Sequence, residues 1–255
     1  MNDSLENLQN QFKQLRMTET ANELPNLLRK AEQISWTYRE FVQEMVQFEL
    51  IKREEKSIEK RMKWAKFPYL KTLKEYNLSD QTSLSQRQLC QLEELNWLEQ
   101  QFNLILLGPP GVGKTHLAIG LGIEAIQKGF QVMFVPMGEL ITLLKTSEFT
   151  RKSQVQLNRI QSSDLVIIDD LMYMAMDQRE ANLFFHLVNH LYERSSIILT
   201  SNKSPDEWGE LLGDEGITTA ILDRLLHRVE VVHMNEDSYR MKHRQSMFQN
   251  VSVQN

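Results

Sequence analysis

The stretch Gly108-Pro109-Pro110-Gly111-Val112-Gly113-Lys114-Thr115 decides the fold. It fits G-x-x-x-x-G-K-[S/T], the pattern of a phosphate-binding loop, and its flanks supply the setting that pattern needs. Residues 103–107 ahead of it, NLILL, form a short apolar run that reads as a buried strand. After it, HLAIGLGIEAIQKG carries Leu117, Leu121 and Ala125 at helical spacing. Gly108, Gly111 and Gly113 permit turns closed to other residues, so successive N–H groups converge on phosphate oxygens. The helix N-terminus adds partial positive charge. Lys114 is placed to reach β- and γ-phosphates, and the Thr115 hydroxyl suits a Mg²⁺ ion. All eight residues are therefore expected to bind nucleotide, with ATP and Mg²⁺ as cofactors.

Further apolar, β-rich runs follow at 131–135, 165–168, 196–200 and 229–233, separated by helical segments. Five strands alternating with helices imply an α/β fold: a five-stranded parallel sheet with helices on both faces. The first hundred residues read differently. They hold no glycine, and Leu5, Leu8, Phe12 and Leu15, then Phe41, Met45, Phe48 and Ile51, recur at helical spacing. Pro25 and Pro68 are expected to punctuate these helices. The reading divides the chain into an all-helical N-terminal domain, 1–95, and a nucleotide-binding domain, 96–250. The one cysteine, Cys90, allows no internal disulfide, which suits a reducing compartment. The start, MNDSLENLQNQ, lacks a signal-peptide profile and no apolar run reaches membrane-spanning length. A cytoplasmic protein without a membrane partner is expected.

Chemistry beyond the loop concentrates at strand ends. LVIIDD closes an apolar strand with Asp169 and Asp170, and a parallel strand delivers its carboxyl end to the ligand crevice. Asp169 suits Mg²⁺, and Asp170 suits a base that orients and deprotonates water. The next strand runs into Ser201 and Asn202. Asn202 would lie near the γ-phosphate if its strand sat between the loop strand and the aspartate strand. ITTAILDRLLHR reads as an amphipathic helix with Arg224 and Arg228 on one face at i, i+4 spacing. Either this pair is a solvated face, or Arg224 is a finger offered to a neighbouring subunit's nucleotide. Asp237 is read as a cap for a helix carrying Arg240, whose expected role is structural, with a second γ-phosphate sensor as the alternative. His116 is expected to pack rather than to bind metal.

Taken in order, GPPGVGKTHLA, LVIIDDL, LTSN, LDRLLHR and DSYR resemble an AAA+ ATPase. They look most like the IstB-type ATP-binding helpers of bacterial insertion sequences, relatives of the DnaC helicase loaders and DnaA initiators. The resemblance covers the chain from Asn103 to about Arg244, and more loosely the segment AKFPYLKTLKEYN. It implies an AAA+ P-loop fold, ATP hydrolysis at a site shared between subunits, homo-oligomerisation on DNA, and a partner transposase from the same element. By position it makes Gly108 to Thr115 Walker A, Asp169 with Asp170 Walker B, Asn202 sensor 1 and Arg224 the arginine finger. Catalysis would thus rest on Lys114, Asp170, Asn202 and Arg224. The alternative within the same clade is a DnaC-like replicative helicase loader. A kinase, and an assembly switch that barely hydrolyses ATP, stay open as different classes.

The net charge of −5 hides a local patch. KREEKSIEKRMKWAKFPYLKTLK, from Lys52 to Lys74, sets nine basic residues against three acids, a local charge of +6. Lys60, Arg61, Lys63 and Lys66 are the expected DNA contacts, with Trp64, Phe67 and Tyr69 interleaved. The competing reading is a salt-bridged, solvated helix. A second DNA candidate is TLLKTSEFTRKSQ, with Lys145, Arg151 and Lys152.

Overall fold

The computed structural model describes residues 2–76, 78, 83–171, 176–209 and 215–235; Asp237 and Arg240 lie outside them. The chain divides into two units at Lys60–Arg61, earlier than the expected division at residue 95. The first unit comprises α1 (Asn2–Gln14), α2 (Thr18–Ile34) and most of α3 (Tyr38–Ala65). Thr20, Ala21, Leu24 and Leu27 form the buried face of α2. No side chain of its own caps that helix. Instead Glu49 reaches across from α3 and accepts from Thr20 N at 2.9 Å and Thr20 Oγ1 at 2.8 Å. A carboxylate on the first turn satisfies an orphan N–H and meets the positive end of the helix dipole. Those donors and Arg53, whose Nε donates to Glu49 at 2.8 Å, outweigh burial and hold the Glu49 carboxyl below its ordinary range.

Pro25 does not punctuate a helix: it lies inside α2. It has no N–H for the carbonyl four residues back, Ala21, and an orphaned buried carbonyl is costly. Gln9 Nε2 from α1 donates to that oxygen at 2.8 Å. The neighbouring helix thus supplies the bond that the proline removes. Pro68 behaves as expected, since α3 ends at Ala65 and the chain turns at Lys66 with φ 58°.

The second unit begins in the last turn of α3 and continues through α4 (Gln86–Glu93) and α5 (Asn96–Glu99). Its strands are β1 (Asn103–Leu107), β2 (Val132–Pro136), β3 (Leu165–Asp169), β4 (Ser196–Ser201) and β5 (Val229–His233). They pair in parallel in the order β2-β3-β4-β1-β5. β1, β3 and β4 are buried along their whole length, as strands covered on both faces must be. One face carries α6 (Lys114–Gln127), which packs on β2, β3 and β4. On the other, α7 (Met137–Thr146), α8 (Arg151–Gln161), α9 (Gln178–Leu191) and α10 (Glu215–Leu226) supply side chains to one core. Leu140, Ile160, Phe184 and Ile221 meet Ile105, Ile168 and Leu199 there. Among the described residues no helix is long and apolar enough to cross a membrane.

The helix expected through Arg228 stops at Leu226. The Arg228 carbonyl accepts from Asn103 N at 2.8 Å, so the chain has already joined the edge of β1. Arg224 and Arg228 therefore do not share a helical face.

Candidate nucleotide site

β1 feeds the glycine-rich loop and α6 leaves it, with Lys114 as the first helical residue and Gly113 as its cap at φ 99°. The loop needs glycine most at Gly108. There φ is 150°, and a Cβ would lie 2.0 Å from the Met234 carbonyl oxygen. Met234, just past β5, is held there because its N–H donates to Leu107 O at 2.7 Å. Gly108 N in turn donates to Ser201 O at the end of β4, at 3.1 Å. The loop is thus anchored from the strands on both sides of β1. Lys114 is 7% exposed, and its Nζ donates to Gly108 O at 2.6 Å and Pro109 O at 2.9 Å. The charge is aimed back into the concavity formed by the loop.

Thr115 and Asp169, read separately as Mg²⁺ ligands, come together: Thr115 Oγ1 donates to Asp169 Oδ1 at 2.9 Å. Thr200 Oγ1 donates to the same oxygen at 2.6 Å. Asp169 is buried at the end of β3. Burial pushes its carboxyl above the ordinary range, against the pull of the Thr200 and Thr115 hydroxyls, while the Asp170 charge pushes the same way as burial. A buried carboxylate held at such a cost, beside a hydroxyl and a lysine, suits a hard divalent cation. Among the described residues no three His, Cys, Asp or Glu side chains gather as a metal cage.

Asp170 follows at once, exposed, with φ 55°. Its N–H donates to Thr200 Oγ1 at 2.9 Å. β4 does sit between β1 and β3, the arrangement under which Asn202 would face the γ-phosphate. Asn202 lies in the bend one residue past β4, with its side chain exposed. In the sequence Thr200 counts only as part of the LTSN motif, with no role of its own. The signal for such a role is a hydroxyl at a strand end beside the aspartate strand.

Arg224 is not near these groups. With Arg228 it lines a cleft with Asn103, Ser195 and Ile197, where β1 and β4 begin, whereas the loop follows the end of β1. Its guanidinium stacks 4.9 Å from the Phe185 ring on α9. Nε donates to Asn189 Oδ1 at 2.9 Å, and a terminal nitrogen donates to Ala220 O at 2.8 Å.

His116 packs, as expected. Its Nε2 lies 3.0 Å from Thr72 O, Tyr76 meets its ring edge-on at 5.2 Å, and burial lowers its pKa. The segment around Thr72 is fitted to α6: a Cβ on Gly120 would meet the Leu73 side chain at 2.4 Å, and one on Gly122 would meet Phe67 at 2.9 Å.

The basic stretch is only partly available. Lys52 pairs with Glu55, Arg53 with Glu49 and Lys56 with Glu19, as the salt-bridged reading requires. Lys60, Lys63 and Lys66 are exposed, and Arg61 is half-buried. Arg61 lines a cleft with Trp64, Arg159, Gln131 and Ser163, and the Arg159 guanidinium lies 5.0 Å from the centre of the Trp64 ring. Phe67 packs edge-on to Phe134 with centroids 6.3 Å apart. Of the aromatics, Trp64 and Tyr69 are exposed and Phe67 is half-buried. In the second candidate segment, Lys145 is committed to Glu180 at 2.8 Å, while Arg151 and Lys152 are exposed at the start of α8.

The family of IstB-like ATP binding proteins matches residues 10–247. The ATP-binding protein of insertion sequence IS21 from Pseudomonas aeruginosa is 40% identical over 228 residues, covering 89% of this chain and 86% of that protein. That of insertion sequence IS5376 from Geobacillus stearothermophilus is 36% identical over 206 residues, covering 81% of this chain and 82% of that protein. Among solved structures, DnaI aligns with a TM-score of 0.56 at 20% identity over 64% of this chain and 90% of its own, a likeness of fold. The expected AAA+ P-loop fold, a five-stranded parallel sheet preceded by helices, stands. With its phosphate loop, paired hydroxyl and carboxylate, and relatives matched over most of their length, the chain belongs to the IstB-like ATP binding protein family.

Proposed function

We propose that the chain is an ATP-dependent helper of insertion-sequence transposition. It binds and hydrolyses ATP, assembles as a homo-oligomer on DNA and cooperates with the transposase of the same element. The observation that carries the enzymatic part is the meeting of Thr115 and Asp169 at 2.9 Å beside Lys114, the geometry for a metal–triphosphate complex. The insertion-sequence origin of the relatives supports transposition over helicase loading. In this reading residues 108–115 hold the phosphates, and Thr115 and Asp169 hold Mg²⁺, which supplies neutralisation of the phosphate charge. Asp170 takes the proton of the attacking water, and Asn202 helps to place that water. Residues 96–250 act as the ATPase and 1–95 meet DNA or the transposase.

Phosphate release without any acceptor tests the reaction and separates it from kinase chemistry. Asp170→Asn is expected to keep ATP and Mg²⁺ bound while phosphate release falls at least about tenfold, because an amide cannot accept the water's proton. Hydrolysis at the wild-type rate would move the base elsewhere.

DNA binding is assigned to Lys60, Arg61, Lys63 and Lys66. Neutralising all four is expected to weaken binding and to flatten its salt dependence by roughly 0.9 log unit per lost phosphate contact. Filter binding across a salt series measures this. An unchanged slope would return the segment to a solvated helix.

A further inference from the structure

We propose that Thr200 is a positioning residue whose hydroxyl locks Asp169 and Asp170 into one unit, so that the metal-binding carboxylate and the base move together. The inference rests on the ATPase reading above and adds a residue to it. Thr200 is fully buried on β4. Strand register pairs Ile168 with Leu199, which brings Thr200 alongside the end of β3. Its one hydroxyl proton goes to Asp169 Oδ1 at 2.6 Å, and Thr200 Oγ1 itself accepts the Asp170 N–H at 2.9 Å. The Thr200 carbonyl accepts from Leu171 N at 3.0 Å. One residue of β4 therefore grips three consecutive residues where β3 ends.

That grip has something to hold. Asp170 sits at φ 55°, in the left-handed region that costs a residue with a side chain free energy and persists only when its surroundings impose it. The bond from Asp170 N to the Thr200 hydroxyl supplies such a restraint. Removing it would release the backbone toward more populated angles and swing the exposed Asp170 carboxylate off its aim. Thr200 touches neither phosphate nor water in this scheme; it acts through the two aspartates. Because its strand continues into Asn202, any shift of β4 would be felt at both carboxylates and at Asn202 together.

Thr200→Val keeps the shape and deletes the hydroxyl; Thr200→Ser keeps the hydroxyl. Two measurements are made on the full chain. Amide hydrogen exchange of Asp170, without nucleotide, reads the lock itself: at least about tenfold faster exchange is expected in Thr200→Val and near wild-type exchange in Thr200→Ser. Phosphate release reads its use: kcat is expected to fall at least about tenfold in Thr200→Val with KM for ATP within about threefold, and Thr200→Ser to recover most of kcat. Wild-type exchange in Thr200→Val overturns the lock, as does an unchanged kcat despite faster exchange. Loss of KM and kcat together with a collapsed thermal midpoint would mark a merely structural residue and also overturn it. A wild-type protein that releases no phosphate sinks the ATPase reading instead, while the exchange experiment still decides whether the lock exists.

Discussion

Lys114→Ala is expected to lower ATP affinity at least tenfold, roughly 1.4 kcal/mol or more. The ammonium is nearly buried and bonded to the carbonyls of Gly108 and Pro109. Triphosphate oxygens would gain that charge at short range in a site of low effective dielectric, where a point charge counts for more than in water. The substitution removes the charge and also frees two loop carbonyls that Nζ now ties together. Both losses act in the same direction. Calorimetric titration with ATP and Mg²⁺ measures the affinity, and the thermal midpoint without nucleotide checks the fold. Equal binding by wild type and mutant would overturn the assignment of the loop.

Arg224→Ala is expected to bind ATP nearly normally yet lose hydrolysis by about 10³-fold, the range for an arginine finger. A finger stabilises charge that develops in the transition state more than it binds the ground state. Arg224 lies where β1 and β4 begin, away from its own loop, so its use requires a neighbouring subunit. Stacking on Phe185 and the bonds to Asn189 and Ala220 fix the guanidinium and use Nε and one terminal nitrogen, leaving the other terminal nitrogen as a further donor group. The same contacts tie α10 to α9, so the thermal midpoint must accompany the assay. Mixing Arg224→Ala with Lys114→Ala is expected to restore part of the activity, since a mixed interface pairs an intact loop with an intact finger. Arg228→Ala is the control, because Arg228 belongs to the turn before β5 and spends its contacts on Gln100 and Asn103. If Arg224→Ala alone hydrolyses ATP normally, or the mixture gains nothing over the two variants assayed apart, Arg224 is a strut between two helices and nothing more.

The five strands were legible because β1, β3 and β4 are buried on both faces, which forces continuous apolar runs with glycines and charges beyond their ends. The loop was legible because its pattern is local: G-x-x-x-x-G-K-[S/T] is read from eight successive residues. What escaped is non-local. Thr200 acquires its role from Asp169, 31 residues earlier, only once the strand register is set. The obstruction at Gly108 comes from the carbonyl of Met234, on the far side of the domain in sequence. The end of α10 was misjudged because the apolar spacing continues past Leu226 while the Arg228 carbonyl is claimed by β1. The unit boundary at Lys60–Arg61 falls inside α3, and a helix running through a boundary carries no mark of it in composition.

The proline within α2 has a bearing on how this chain can change by substitution. Pro25 in an isolated helix would be a lesion, and Gln9 is what makes it tolerable. Their fitness effects are therefore coupled in one direction. While Pro25 is present, losing the Gln9 amide strands the Ala21 carbonyl; once Pro25 is replaced by a residue with an N–H, position 9 is released from that duty and can drift. The order of substitution matters: a lineage that changes residue 9 first crosses a valley, and one that changes residue 25 first walks on level ground.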